Sequence, residues 1–139
     1  MKVISEEDMS ANQRLLGVLI HLTVRAIQHA EDALVERDPE RRDELLSLCS
    51  DMAFQMWRHW RIRLSVLGLG ENAARTVNNS YDFIQERLED ELIDGGGEAV
   101  AEAIGLLQTI RGAFVDSRER DDDQAQHWAD RRMRDERLG

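Results

Sequence analysis

Ser80-Tyr81-Asp82-Phe83-Ile84-Gln85-Glu86-Arg87-Leu88 and, fourteen residues further on, Glu102-Ala103-Ile104-Gly105-Leu106-Leu107-Gln108-Thr109-Ile110-Arg111-Gly112-Ala113-Phe114 decide the fold of this chain. Around the first stretch, Val77, Tyr81, Ile84, Leu88 and Leu92 recur at intervals of three and four. In the second, Val100, Ala103, Leu107, Ile110 and Phe114 do the same. That spacing places each set on one face of a helix, and no alternating strand pattern competes with it. Only Gly95-Gly96-Gly97 and a few flanking residues separate the two. So short a link between two long helices makes them antiparallel neighbours.

Outward from this pair the same grammar repeats. The only proline, Pro39, follows Asp38, an N-cap residue ahead of proline at the first helical position. Gly68-Leu69-Gly70 supplies the next break. Before Pro39, Leu16, Leu19, Thr23, Ile27, Ala30 and Leu34 form a stripe that Leu15 and Leu22 widen. Ser10 and Gln13 fit a capping box and predict a helix start near Ser10. After Pro39, Leu45, Cys49, Met52, Met56 and Trp60 form the stripe, flanked by Leu46, Ala53, Trp57 and Leu64. Four helices of about 20 to 28 residues, each ~30 to 40 Å long, predict an all-α antiparallel four-helix bundle.

The bundle is expected over residues 10–117. Residues 1–9 form an acidic leader with scattered apolar Val3, Ile4 and Met9. Residues 118–139 form a charged C-terminal helix or tail with Trp128 as its large apolar anchor and Asp130 at helical spacing from Arg134. Glu86, Glu89, Asp90, Glu91 and Asp94 read as a solvated acidic face late in the third helix.

A chain of 139 residues is one domain, with 42% hydrophobic and 33% charged residues. No apolar run approaches the ~20 residues a membrane span needs, and the leader lacks the apolar core of a secretory signal. Cys49 has no second cysteine to pair with and reads as a buried thiol in a cytoplasmic protein. The net charge of -10 opposes nonspecific nucleic-acid binding and favours a neutral or basic partner.

Catalytic constellations are missing where their mechanisms need them. None of His21, His29, His59 and His127 has an acidic residue three positions before it, and no two of them are three or four apart. That removes the Glu-x-x-His metal signature of helical bundles and, with one cysteine, a zinc site. Glu91 and Asp94 have the spacing that holds magnesium in helical pyrophosphatases, but no E-x-x-E pair precedes them on the second helix. Gly95-Gly96-Gly97 is not followed by the lysine of a phosphate loop. No metal, no cofactor and no enzymatic activity are expected. His59 leaves one alternative, since histidine phosphotransfer domains are also four-helix bundles. They carry lysine and glycine where this chain has Ile62 and Arg63.

The Ser80–Leu88 stretch resembles the L-Y-D-Y-M-x-x-R-L segment of flagellin-export chaperones, the FliS-like family. Glu102–Phe114 is similar to that family's E-V-x-x-L-L-x-x-L-R-x-A-W helix. Leu15-Leu16-Gly17-Val18-Leu19 resembles its L-L-x-M-L, and Ala30, Ala33, Leu34 and Asp38 its A-x-x-A-I-x-x-x-D. The likeness spans about residues 15–117. It implies a cytoplasmic four-helix chaperone that binds the disordered amphipathic C-terminal segment of flagellin, prevents premature polymerisation and delivers the subunit to the export apparatus. The chain departs from the family in its leader and at Ile20-His21-Leu22, where the family has Tyr-Asp-Gly.

A chaperone for an amphipathic client needs an exposed apolar groove. The second helix carries more large apolar groups than one buried stripe holds, and methionine and tryptophan suit adaptable gripping. Ile20, Met52, Met56, Trp57 and Trp60 are therefore the expected client-binding residues. The alternative is a large core that absorbs all five. Gly105 and Gly112 share a face of the fourth helix, which predicts close approach by a neighbouring helix or a client. Self-association as a homodimer or helical adaptor remains the third reading.

Overall fold

In the computed structural model, which describes residues 5–138, the chain forms α1 (Glu6–Val35), α2 (Pro39–Val66), α3 (Glu71–Asp94) and α4 (Glu98–Leu138). Consecutive helices pack side by side and α4 closes the ring against α1, while the two diagonal pairs stay apart at backbone level. The result is the antiparallel four-helix bundle that the apolar spacing predicts. The α1–α2 seam is the most extensively packed, and the seams that α3 makes with α2 and α4 are the sparsest. No described helix is long and apolar enough to cross a membrane.

The helix ends follow local chemistry. Asp38 accepts from the Glu40 amide at 3.2 Å with Pro39 opening α2, as its sequence position predicts. At α3, Gly95 takes φ +67 in the left-handed region and returns its N–H to the Glu91 carbonyl, the usual glycine stop. The start of α1 differs from expectation. Ser5, not Ser10, is the cap, accepting from the Asp8 amide at 3.1 Å. Glu6, Glu7 and Asp8 then lie in the first turn, where carboxylates oppose the positive end of the helix dipole. Gln13 instead reaches Asp122 on α4. Residues expected in the leader thus begin α1, and Met9 is buried. Val3 and Ile4 lie outside the described residues.

At the far end the charged segment is helical, one of its two expected forms, and it continues the fourth helix. No break follows Asp116, and α4 remains helical for 41 residues to Leu138. The Trp128 and Asp130 side chains lie outside the described residues. Early in that segment, α4 is tied to the bundle: buried Asn12 donates to Asp121 and accepts from Arg63 Nε at 2.8 Å, joining α1, α4 and α2. Burial pushes the Arg63 guanidinium below its ordinary value, and neighbouring Asp121 opposes that shift.

The core is a continuous cluster from Leu16 and Leu19 on α1 to Phe114 on α4. Every member of the α4 stripe (Val100, Ala103, Leu107, Ile110, Phe114) is buried. The stripe of α3 needs two corrections. Leu92 is 55% exposed, and Tyr81 is only partly buried and turns toward α2 rather than into the core. The core position beside Leu92 belongs to Glu91, 2% exposed, which is not on a solvated face. Its Oε2 accepts from the Gly97 amide at 3.1 Å and its Oε1 lies 3.0 Å from Arg42 Nη2. A carboxylate tolerates burial there because a cation and a backbone donor meet it. Leu34 ends the α1 stripe largely exposed.

Candidate functional site

The five nominated binding residues do not meet on one surface. Met56 has no exposed surface and is a core residue, so it lines no open groove. Ile20, Met52 and Trp60 are partly buried against the core. The Trp60 ring meets Phe114 edge-on, with centroids 5.0 Å apart and an interplanar angle of 81°. That contact spans the α2–α4 diagonal and fixes Trp60 as interior packing. Trp57 stands apart, on the seam between α2 and α3.

Around Trp57 the structure assembles a group that stripe analysis of α2 missed. Trp57 stacks on Tyr81, with centroids 5.0 Å apart and planes 23° from parallel. Phe54, 40% exposed, completes the group at 5.8 Å from Trp57 and 6.4 Å from Tyr81. The indole Nε1–H donates to Asn78 Oδ1 at 2.8 Å, which fixes the ring's rotamer from α3. One and two turns along, Ser50 Oγ donates to Gln85 Oε1 at 2.7 Å, pinning the same seam. Burial, the larger influence, and the nearby Asp82 carboxylate raise the Tyr81 phenol above its ordinary value against a lowering bond with Gln85. Tyr81 is therefore a neutral hydrogen-bonding ring at neutral pH.

Cations cover the outer edge. Arg58 lies over Phe54 at 5.8 Å from the ring centroid and Arg61 over Trp57 at 5.2 Å. Each arginine is four residues after its ring, so one helix face delivers both contacts. Phe83 and Arg87 repeat the spacing on α3 at 5.5 Å, but Arg87 is also paired with Asp90 and Glu102. This aromatic-x-x-x-Arg pattern is legible in the sequence and was the signal available for the site.

His59 is half-buried, and its Nδ1 lies 2.7 Å from the Gln55 carbonyl one turn back. Gly105 and Gly112 face open space, with nothing within 4 Å of a built Cβ. The close helix approach expected from their spacing is therefore not made by any helix of the bundle. No group of three or more metal-ligating side chains occurs among the described residues. No family model, curated protein or solved structure matches the chain.

Proposed function

We propose that this protein is a non-catalytic helix-binding protein that holds an amphipathic segment of another protein against the α2–α3 seam. One observation carries this reading: Trp57 stacks on Tyr81 and the exposed Phe54 tilts against both, so three large rings meet in one partly exposed group on the α2–α3 seam. Rings held by neighbours lose little entropy on binding, and tryptophan and tyrosine are the commonest interface anchors. The resemblance of the Ser80–Leu88 and Glu102–Phe114 motifs to flagellin-export chaperones singles out a flagellin-type C-terminal segment as the client. Export-chaperone action in the cytoplasm, with delivery to an export apparatus, is part of this proposal.

Calorimetry with a flagellin C-terminal peptide tests it. The peptide is expected to become helical on binding and to give a negative heat-capacity change, because apolar surface leaves water. Trp57→Ala is expected to abolish most of the heat, whereas His59→Ala leaves it intact. Phosphoryl transfer to His59 from a response-regulator partner, lost in His59→Ala, would instead favour the phosphotransfer alternative. Absence of binding to any amphipathic helical peptide by the folded protein sinks the proposal.

A further inference from the structure

The seam is not electrically neutral. Arg58 and Arg61 lie on its α2 side, and Arg75 stands one turn before the Asn78 that holds Trp57. All three are exposed, and among the described residues none has a carboxylate within ion-pair distance. What sets Arg58 and Arg61 apart is that each is held over a ring of the seam, Arg58 over Phe54 and Arg61 over Trp57. Lying over a ring occupies the face of a guanidinium but leaves its in-plane N–H donors free. The rings thus hold two forks in place with their donors unspent.

We infer that the α2–α3 seam takes an acidic amphipathic helix, with apolar residues seated on Phe54, Trp57 and Tyr81 and carboxylates one turn apart meeting Arg58 and Arg61. This rests on the helix-binding reading and adds the chemistry of the client. Arg58 and Arg61 are three residues apart on α2, so carboxylates three or four apart on a docked helix match them. Exposed Glu71 lies one turn before Arg75 and exposed Asp82 follows Tyr81, so the α3 side carries both signs, whereas Arg58 and Arg61 give the α2 side its positive charge beside the rings. The overall charge of -10 repels an acidic partner at long range, but screening beyond about 8 Å at physiological salt leaves the local pairs in control.

Three probe peptides of about 18 residues separate the outcomes, long enough to hold a helix when bound. All carry the same leucine and phenylalanine face. One has a glutamate pair four apart on the flank, the second has lysines there, and the third has glutamines. Calorimetry against the full chain is expected to rank glutamate above glutamine above lysine, with the first and last differing by roughly five- to tenfold at low salt. The difference should shrink at 0.5 M salt, since exposed pairs are screened. Arg58→Glu with Arg61→Glu is expected to invert the ranking, which loss of structure cannot do, and Arg61→Lys is expected to preserve it. Equal binding of all three peptides overturns the acidic-client inference while the helix-binding reading stands. Binding of none overturns both.

Discussion

Arg42 Nη2 lies 3.0 Å from Glu91 Oε1, and the second oxygen of that carboxylate holds the amide of Gly97 at 3.1 Å. One buried side chain of α3 thereby ties the start of α2 to the turn that leads into α4. The ion pair is partly solvated on the arginine side and fully buried on the glutamate side. Glu91→Ala leaves the half-buried Arg42 and the Gly97 amide without their acceptor together, so a loss of about 2 to 3 kcal/mol is expected. Glu91→Gln keeps an acceptor for Gly97 and is expected to lose less. Urea unfolding midpoints of the two variants check the order.

Phe114 is 2% exposed and takes the edge of Trp60 across the bundle. Truncation to alanine is expected to cost ~3 to 5 kcal/mol through transfer and cavity terms. An unchanged denaturant midpoint would mean that the α4 stripe faces elsewhere.

The glycines separate by backbone geometry. Gly97 has φ +88, and a Cβ there would meet Leu34 Cδ2 at 3.3 Å. Gly97→Ala is expected to destabilise by about 1 to 2 kcal/mol. Gly105 is helical, exposed and faces open space. Gly105→Ala is expected to stabilise by ~0.5 to 1 kcal/mol, the ordinary helix-propensity difference. Thermal melts of both variants should move in opposite directions.

Burial pushes the Cys49 thiol from 9.0 up to about 12. The native protein is expected to resist a thiol reagent at pH 8 and to react once urea unfolds it. The folded form holds the proton more tightly than the unfolded chain, so the stability tied to this group is present below about 9 and is lost as pH rises toward 12. Cys49→Val lacks the titrating group, and its stability should fall less steeply than the native protein's across that window.

The sequence made the bundle legible because its apolar spacing is clean and its breaks are few. The α4 stripe is buried residue for residue, since no polar neighbour competes for those positions. Glu91 and Leu92 exchanged roles for a reason that no spacing within α3 carries: Arg42 and Gly97 arrive from elsewhere in the chain to satisfy a carboxylate. Tyr81 sits at the margin of its helical face, and only the partner helix decides which way it turns. Of the expected binding residues, Trp57 lies on the α2–α3 seam, Met56 is in the core, and Trp60 is partly buried against it beside Phe114. Phe54 lies outside every stripe, and only Arg58 and Arg61, one helical turn after the two rings, mark it in the sequence.

The central claim, that the α2–α3 seam is the binding surface, is tested most directly by the indole N–H resonances. Trp57 and Trp60 are three residues apart, yet one indole donates to Asn78 on the seam and the other ring packs against Phe114. Titration of the nitrogen-15-labelled protein with the glutamate-flanked peptide is expected to shift the Trp57 Nε1–H signal strongly and leave that of Trp60 nearly in place. A Trp60 signal that moves while Trp57 stays fixed, or binding with neither indole perturbed, would contradict it.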